Sequence, residues 1–222
     1  MSDDALQKLR SHKIQSMYAE QVEKLFPREA IVCDVGGGTG EDACYFLQKG
    51  HQVTLIDQSE SPLLVAKRKA EEMGRGEMLQ TRVCHLEEEA IPLPGQSQDI
   101  VYSRLVLHFF LRERTIKILK EIKRILKKTG MAYIIVKSPE DKEEMSFLQK
   151  TAKQIAEGIY ETAGEIKTRF RKDQWEEMLS EAGIDSFRIQ DHTEDLRQRG
   201  DVTISGNQIM LLTEMILLGK DT

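Results

Sequence analysis

The residues whose type and spacing bear most directly on chemistry are the stretch Asp34-Val35-Gly36-Gly37-Gly38-Thr39-Gly40 and the acid at Asp57. A short apolar, β-branched run ending at Val35 leads into the glycines, and a helix-forming stretch follows them. Glycines at such a strand-to-helix turn let the backbone take positive φ and approach a ligand closely. Asp57 closes the next apolar run, 21 positions after Gly36. A carboxylate in that place can accept two hydrogen bonds from a ribose diol. Turn and acid together point to a nucleotide-like ligand. A dinucleotide turn follows G-x-G-x-x-G, and counted from Gly36 its third glycine falls on Glu41. A carboxylate at a helix N-terminus would repel a pyrophosphate. No Gly-Lys-Ser/Thr follows the glycines, which disfavours a P-loop. A cofactor without phosphate that carries an ammonium or a sulfonium tolerates both Asp34 and Glu41.

These residues need strands and helices to hold them. Apolar residues at mostly helical spacing predict a helix over 3–26, ended by Pro27. Strands are predicted at 30–35, 52–56, 79–84, 99–103 and 131–136, and helices at 41–49 and 61–73, with Gly50 stopping the first of these. A strongly amphipathic helix is predicted over 112–128, with Lys127, Lys128 and Gly130 closing it. Helices follow at 140–160 and at 172–182, the latter ending at Gly183. A sixth strand is expected at 187–189, and a seventh at 208–218, antiparallel at the sheet edge. Alternating strands and helices imply right-handed crossovers and a mainly parallel, doubly wound α/β sheet.

The chain has 222 residues, 40% apolar and 31% charged, which is the balance of a globular α/β domain. A formal net charge of -5 gives no general attraction to nucleic acid or to an anionic membrane. The basic runs near Lys127 and from Arg169 to Lys172 read as solvated faces. Cys33, Cys44 and Cys84 are too few and too scattered for a disulfide framework or a zinc knuckle, and are expected to be buried free thiols. No secretory signal and no apolar run of membrane-spanning length is visible, so a cytoplasmic location is expected. His12, His51, His85 and His192 are isolated, and no metal site is expected.

With these residues in view, the chain resembles the class I S-adenosylmethionine-dependent methyltransferases, well over 30–137 and loosely elsewhere. The family's D-x-G-x-G-x-G turn is matched by Asp34, Gly36, Gly38 and Gly40, with Gly37 inside it. Asp57 matches the acid that holds the ribose hydroxyls, and Gln58 follows it towards the adenine. The family's adenine acid is matched by Glu87, where Asp is usual, with Glu88 as the alternative in a run of three glutamates. Glu87 to Pro94 then leads to Gln98-Asp99-Ile100-Val101 much as the family segment D-A-E-x-L-P-F-P leads to F-D-x-V. Ser103 and Arg104, after Tyr102, match the segment beside the methionine moiety. The helix from Leu119 to Leu126 and the Lys-Lys-Thr-Gly after it resemble L-x-E-x-x-R-x-L-K-P-G-G, with Thr129 where the proline stands. The resemblance implies a seven-stranded sheet of order 3-2-1-4-5-7-6 with the last strand antiparallel. It also implies S-adenosylmethionine as cofactor and one methyltransferase domain over 1–222. In that domain 1–26 is a helical cap, and 138–172 is a lid over the acceptor or the sheet's outer helix, the lid being the preferred reading.

Methyl transfer is an in-line displacement, so the protein must align donor and acceptor, exclude water and, for a protonated acceptor, offer a base. His108 is the one histidine near the predicted catalytic edge and could take that proton, or could be a packed residue at an apolar helix start. Tyr18 could cover the methionine carboxylate or make a hydrophobic helix contact. A small-molecule acceptor is expected, with no nucleic acid and no membrane as partner, in a monomer or homodimer. Three other readings stay open: a non-catalytic S-adenosylmethionine-binding protein, an NAD(P)-dependent oxidoreductase, and a protein-methylating enzyme with an open acidic groove.

Overall fold

The computed structural model describes residues 15–199 and 208–219. Helix α1 (Met17–Val22) and a 3-10 turn (Glu23–Leu25) lead to strand β1 (Ile31–Val35). Then come α2 (Glu41–Gln48), β2 (Gln52–Asp57), α3 (Glu60–Glu72), β3 (Leu79–Val83) and β4 (Gln98–Arg104). A 3-10 turn (Leu107–Phe109) precedes α4 (Arg112–Ile125) and β5 (Leu126–Lys137). The last third holds α5 (Lys142–Thr151), β6 (Lys153–Ala156), β7 (Ile159–Thr162), β8 (Glu165–Thr168), α6 (Lys172–Glu181), β9 (Phe187–Asp195) and β10 (Ile209–Leu218).

Seven strands form one sheet in the order β3-β2-β1-β4-β5-β10-β9. β1, β2, β3, β4 and β5 run parallel, and β10 runs antiparallel to both β5 and β9. This is the predicted 3-2-1-4-5-7-6 order. The parallel strands are apolar on both faces because helices cover both. One core layer packs Leu119, Ile122 and Ile125 of α4 and Trp175, Met178 and Leu179 of α6 against the sheet. The other packs Tyr18, Phe46, Leu47, Leu63 and Ala66 of α1, α2 and α3 against the opposite face. Strand order reverses between β1 and β4, so the crevice beyond their carboxyl ends is where a ligand fits this architecture.

Three expectations are corrected. First, of the helix predicted over 3–26, the described part is a short α1 and the 3-10 turn; 3–14 lie outside the described residues. Second, the helix predicted to 128 ends at Ile125, and Lys127, Lys128 and Gly130 stand in β5. Leu126 pairs with Gln98, and Lys127 reaches Asp99 at 2.8 Å, so sheet pairing overrides the helix-closing charges. Gly130 is needed there, since a Cβ would meet the Asp99 carbonyl oxygen at 2.9 Å. Third, the helix predicted over 140–160 stops at Thr151, and a three-stranded antiparallel sheet, β6-β7-β8, follows. Its second hairpin turns on Ala163 and Gly164, both at positive φ (51° and 84°), as a type I′ two-residue loop requires.

The basic runs are neutralised locally: Lys127 by Asp99, Arg169 by Glu144, Arg171 by Glu157 and Asp173, and Lys172 by Asp191. All three cysteines are free and buried. No helix among the described residues is long and apolar enough to cross a membrane.

Gly40 sets the angle between the glycine turn and α2. Its φ is +74°, and a Cβ there would lie 2.7 Å from the Ala66 Cβ of α3. Gly40→Ala is expected to cost at least about 1–2 kcal/mol from the left-handed backbone alone. That should lower the thermal midpoint by roughly 2–8 °C for a chain of this size. An unchanged midpoint would show that the turn is free to relax.

Candidate functional site

The turn after β1 is tied to the end of β2. Gly36 N–H donates to the Ile56 carbonyl at 2.7 Å, Gly37 N–H donates to the same oxygen at 3.3 Å, and Gly38 N–H donates to Asp57 Oδ2 at 3.1 Å. Asp57 Oδ1 accepts from Ser59 N–H at 3.0 Å. A carboxylate offers about four acceptor sites, so Asp57 keeps capacity for two further donors. Gly37 must be glycine, because a Cβ would lie 2.3 Å from Asp34 Oδ2. Gly38, by contrast, faces open space, with nothing within 4 Å of its Cβ position.

Two cavities flank this turn. The larger, about 740 Å³, is walled by Asp34, Gly36, Gly37, Gly38, Asp42, Tyr102 and Arg104 at one end and by His108, Phe147 and the side chains of β5 and β8 at the other. The smaller, about 410 Å³, is walled by Gly36, Asp57, Gln58, Cys84, Glu87 and Phe110. Both share Gly36, Leu105, Phe109 and Glu165, so they adjoin across the turn. Leu105 holds the boundary in a left-handed conformation (φ 58°), fixed by its N–H donating to the Ile135 carbonyl at 2.8 Å. Such strain in a non-glycine residue costs about 1–3 kcal/mol and persists where surrounding structure imposes it.

The predicted site residues divide accordingly. Asp34, Gly36, Gly37, Gly38, Arg104 and His108 line the larger cavity, and Gly36, Asp57, Gln58 and Glu87 line the smaller. Gly40, Glu88, Ser103 and Tyr18 line neither. Ser103 is fully buried and donates through Oγ to the Val35 carbonyl at 3.2 Å, bridging β4 to β1. The Tyr18 side chain is buried against Tyr102, with ring centroids 5.8 Å apart, and edge-on to His192 at 5.1 Å.

Charge in the larger cavity is polarised. At the turn end, Asp34 Oδ2 is buried with no hydrogen-bond partner. Burial, then the carboxylates of Asp42, Asp57 and Glu41, push the Asp34 acid well above the usual range. Glu41, at the α2 N-terminus, is held by Lys69 at 2.8 Å and by the Thr39 hydroxyl at 2.7 Å. Arg104 is paired with the buried Glu194 of β9 at 2.6 Å. At the other end the His108 ring is almost fully buried, stacks near Phe109 at 4.4 Å, and leaves Nδ1 without a partner. Burial, then Arg169, Lys137 and Lys167, push its pKa well below the ordinary imidazole value.

Residues that sequence reasoning missed include Ser16 and Asp42. Asp42 Oδ2 accepts from Tyr102 OH at 2.7 Å and from Ser16 Oγ at 2.8 Å, and Oδ1 accepts from Ser16 N–H at 2.6 Å. This clasp brings the start of α1 over the glycine turn. In the sequence Asp42 reads as one of two acids complementing a helix dipole. No group of three or more His, Cys, Asp or Glu among the described residues is placed to hold a metal.

Residues 33–134 match the family model of a methyltransferase domain. A curated relative from Bacillus subtilis (strain 168), the uncharacterized methyltransferase YodH, is 33% identical over 100 residues, which is 45% of this chain and 40% of the relative. The chain therefore spans about two fifths of that relative's length. Among solved structures, an S-adenosylmethionine-dependent methyltransferase from Methanosarcina mazei aligns with TM-score 0.70 at 18% identity, covering 90% of this chain and 98% of the other. The Burkholderia thailandensis 1,6-didemethyltoxoflavin-N1-methyltransferase, with bound 1,6-didemethyltoxoflavin and S-adenosylhomocysteine, aligns with TM-score 0.65 at 18% identity, covering 99% and 84%. At these identities the structural likeness is one of fold.

The raised Asp34 acid makes a stability prediction. Its folded pKa lies above its unfolded value, so its contribution is fully present below the unfolded pKa and is lost as pH rises towards the folded one. Asp34→Asn is expected to raise the thermal midpoint at pH 7 and to leave it unchanged at pH 3. A lowered midpoint at pH 7 would mean that the ionised carboxylate is supported by the fold.

Proposed function

We propose that this chain, whose residues 33–134 match the model of a methyltransferase domain, is a class I S-adenosylmethionine-dependent methyltransferase that transfers a methyl group from that cofactor to a small-molecule acceptor. The observation that carries the reading is the pair of adjoining cavities on either side of Gly36. The smaller offers Asp57, Gln58 and Glu87, and the larger offers Asp34 and the open backbone of Gly38.

The residues fit the cofactor's charge and shape. Asp57 has acceptor capacity left for a ribose diol, and Glu87, which lines the smaller cavity where Glu88 does not, is our candidate for the adenine amino group. Asp34, Glu41 and Asp42 suit a cationic ligand and would repel a pyrophosphate, which weighs against a nicotinamide dinucleotide. When bound, S-adenosylmethionine supplies a methyl group already activated by the positive charge on sulfur.

The rest falls to this chain. Leu105 and the glycine turn fix the floor of the site, and the Ser16–Asp42–Tyr102 clasp covers it against water. Alignment of this kind contributes about 7–11 kcal/mol in favourable cases. His108 is the candidate base: its lowered pKa keeps the imidazole neutral, and its ring lines the larger cavity. The reading keeps the chain as one domain, with 15–26 as part of the cap and 138–172 forming the wall of the acceptor site. That wall is one helix and a small sheet rather than the single helical lid predicted.

Calorimetric titration with S-adenosylmethionine, S-adenosylhomocysteine and NADH tests the cofactor. The first two should bind and NADH should not, and Asp57→Ala should weaken binding roughly 10–100-fold through lost hydrogen bonds to a charged group. Binding of NADH alone would overturn the reading in favour of an oxidoreductase. Tight cofactor binding without turnover across an acceptor screen would favour a non-catalytic binder. On an acceptor that turns over, His108→Asn should cost about 10²–10⁴-fold in kcat with cofactor affinity intact. The wild-type rate should hold as pH falls from 7 to about 6, where an ordinary histidine already protonates. A rate halved near pH 6.5 would place the proton on another group.

A further inference from the structure

The far end of the larger cavity has a composition that the cofactor does not explain. Lys137 ends β5, Lys167 stands on β8, and Arg169 follows it; all three line the same wall. Arg169 is 3% exposed, which is rare for a guanidinium. It donates through Nη2 to Glu144 at 2.8 Å and through Nη1 to the Thr168 carbonyl at 2.8 Å, while its buried Nε has no partner. Lys137 shares the same Glu144 at 3.4 Å, a long contact, and is itself largely desolvated, which lowers its pKa. Lys167 has no ion pair among the described residues. Glu165 is exposed at the boundary of the two cavities, and the buried Asp141 acts on both Lys137 and Arg169. Glu144 and Asp141 answer Lys137 and Arg169, so Lys167 is the cation on this wall without an ion pair among the described residues.

Burying a cation is costly unless an anion answers it. The remainder of the wall is apolar: Phe109, Phe147, Leu148 and Met210 line it beside the cations. Phe147 and Leu148 come from α5, and the cations from the segments on either side, so α5 and the β6-β7-β8 sheet build this end of the site together. A polyanionic surface partner cannot reach a guanidinium this buried; a small molecule inside the cavity can.

We infer that the methyl acceptor is a small amphiphilic carboxylate, its apolar body against Phe109, Phe147 and Met210 and its carboxylate held by Lys137, Lys167 and Arg169. The unpaired Lys167 ammonium matches a monoanion. The anchor also orients the acceptor, because the same three cations line the cavity that His108 lines. This inference rests on the methyltransferase reading for the word acceptor, but the anion site stands on the cations alone.

The test uses benzoate as probe, its neutral isostere benzamide, and phenyl phosphate. Each is titrated calorimetrically into the protein alone and into the protein saturated with S-adenosylhomocysteine. Benzoate should bind roughly 10–100-fold more tightly than benzamide, the range set by charge-assisted hydrogen bonding. Lys137→Met and Lys167→Met should each weaken benzoate about tenfold and leave benzamide unchanged. Both variants leave the Arg169–Glu144 pair in place, and the comparison of the two probes on the wild-type chain needs no variant at all. Equal binding of benzoate and benzamide, or binding of neither, would overturn the proposal, as would tighter binding of phenyl phosphate than of benzoate. Failure of S-adenosylhomocysteine to bind, with benzoate still preferred, would remove the cofactor and leave the carboxylate site supported.

Discussion

The three hydrogen bonds that fasten the glycine turn to the end of β2 are the constraint on which the site depends. Gly36 and Gly37 both donate to the Ile56 carbonyl, and Gly38 donates to Asp57. They require the parallel register that sets Val35 beside Ile56, and they require a turn with positive φ at Gly36 and Gly38. Once made, they place a carboxylate on one side of the turn and an open backbone on the other. The two cavities are the two sides of this tie. Loss of the register would move Asp57 away from Gly38 and separate that acid from the rest of the site.

On that frame the larger cavity is electrically bipolar. Its turn end gathers Asp34, Glu41 and Asp42, and the opposite end gathers Lys137, Lys167 and Arg169. The first end favours a positive ligand and raises the acid of Asp34; the second favours a negative one and keeps His108 neutral. The supports are drawn from distant parts of the chain: Ser16 from the N-terminal segment reaches Asp42, and Glu194 on β9 reaches Arg104. Buried pairs of this kind are weak contributors to net stability, but losing one partner strands the other charge. They therefore fix the arrangement of α1, β4 and β9 around the cavity more than they strengthen the fold.

Much of this was legible in the sequence because it depends on local pattern. The buried strands, the glycine turn and Asp57 announce themselves by residue type, strand-helix alternation implies a mainly parallel doubly wound sheet, and the sheet order is what the family resemblance implies. Three things did not. The helix predicted to 128 yields to β5 because Leu126 and Lys127 pair with Gln98 and Asp99, a contact made almost thirty positions away in sequence. The helix predicted over 140–160 breaks into hairpins whose one local sign was Ala163-Gly164, a weak turn signal beside a helical apolar spacing. Asp42, Lys137, Lys167 and Arg169 look like ordinary surface charges in one dimension. Their role appears only where the topology carries them to one cavity, and no spacing rule links residues from α2, β5 and β8.

The central claim is that one ligand occupies both cavities across Gly36, with its nucleoside in the smaller one. A crystal structure of the protein with S-adenosylhomocysteine tests it most directly. The account predicts density that crosses the turn, with the ribose hydroxyls on Asp57, the adenine beside Glu87, and the amino-acid end towards Asp34. A nucleoside bound in the larger cavity among Lys137, Lys167 and Arg169, with Asp57 untouched, would contradict it.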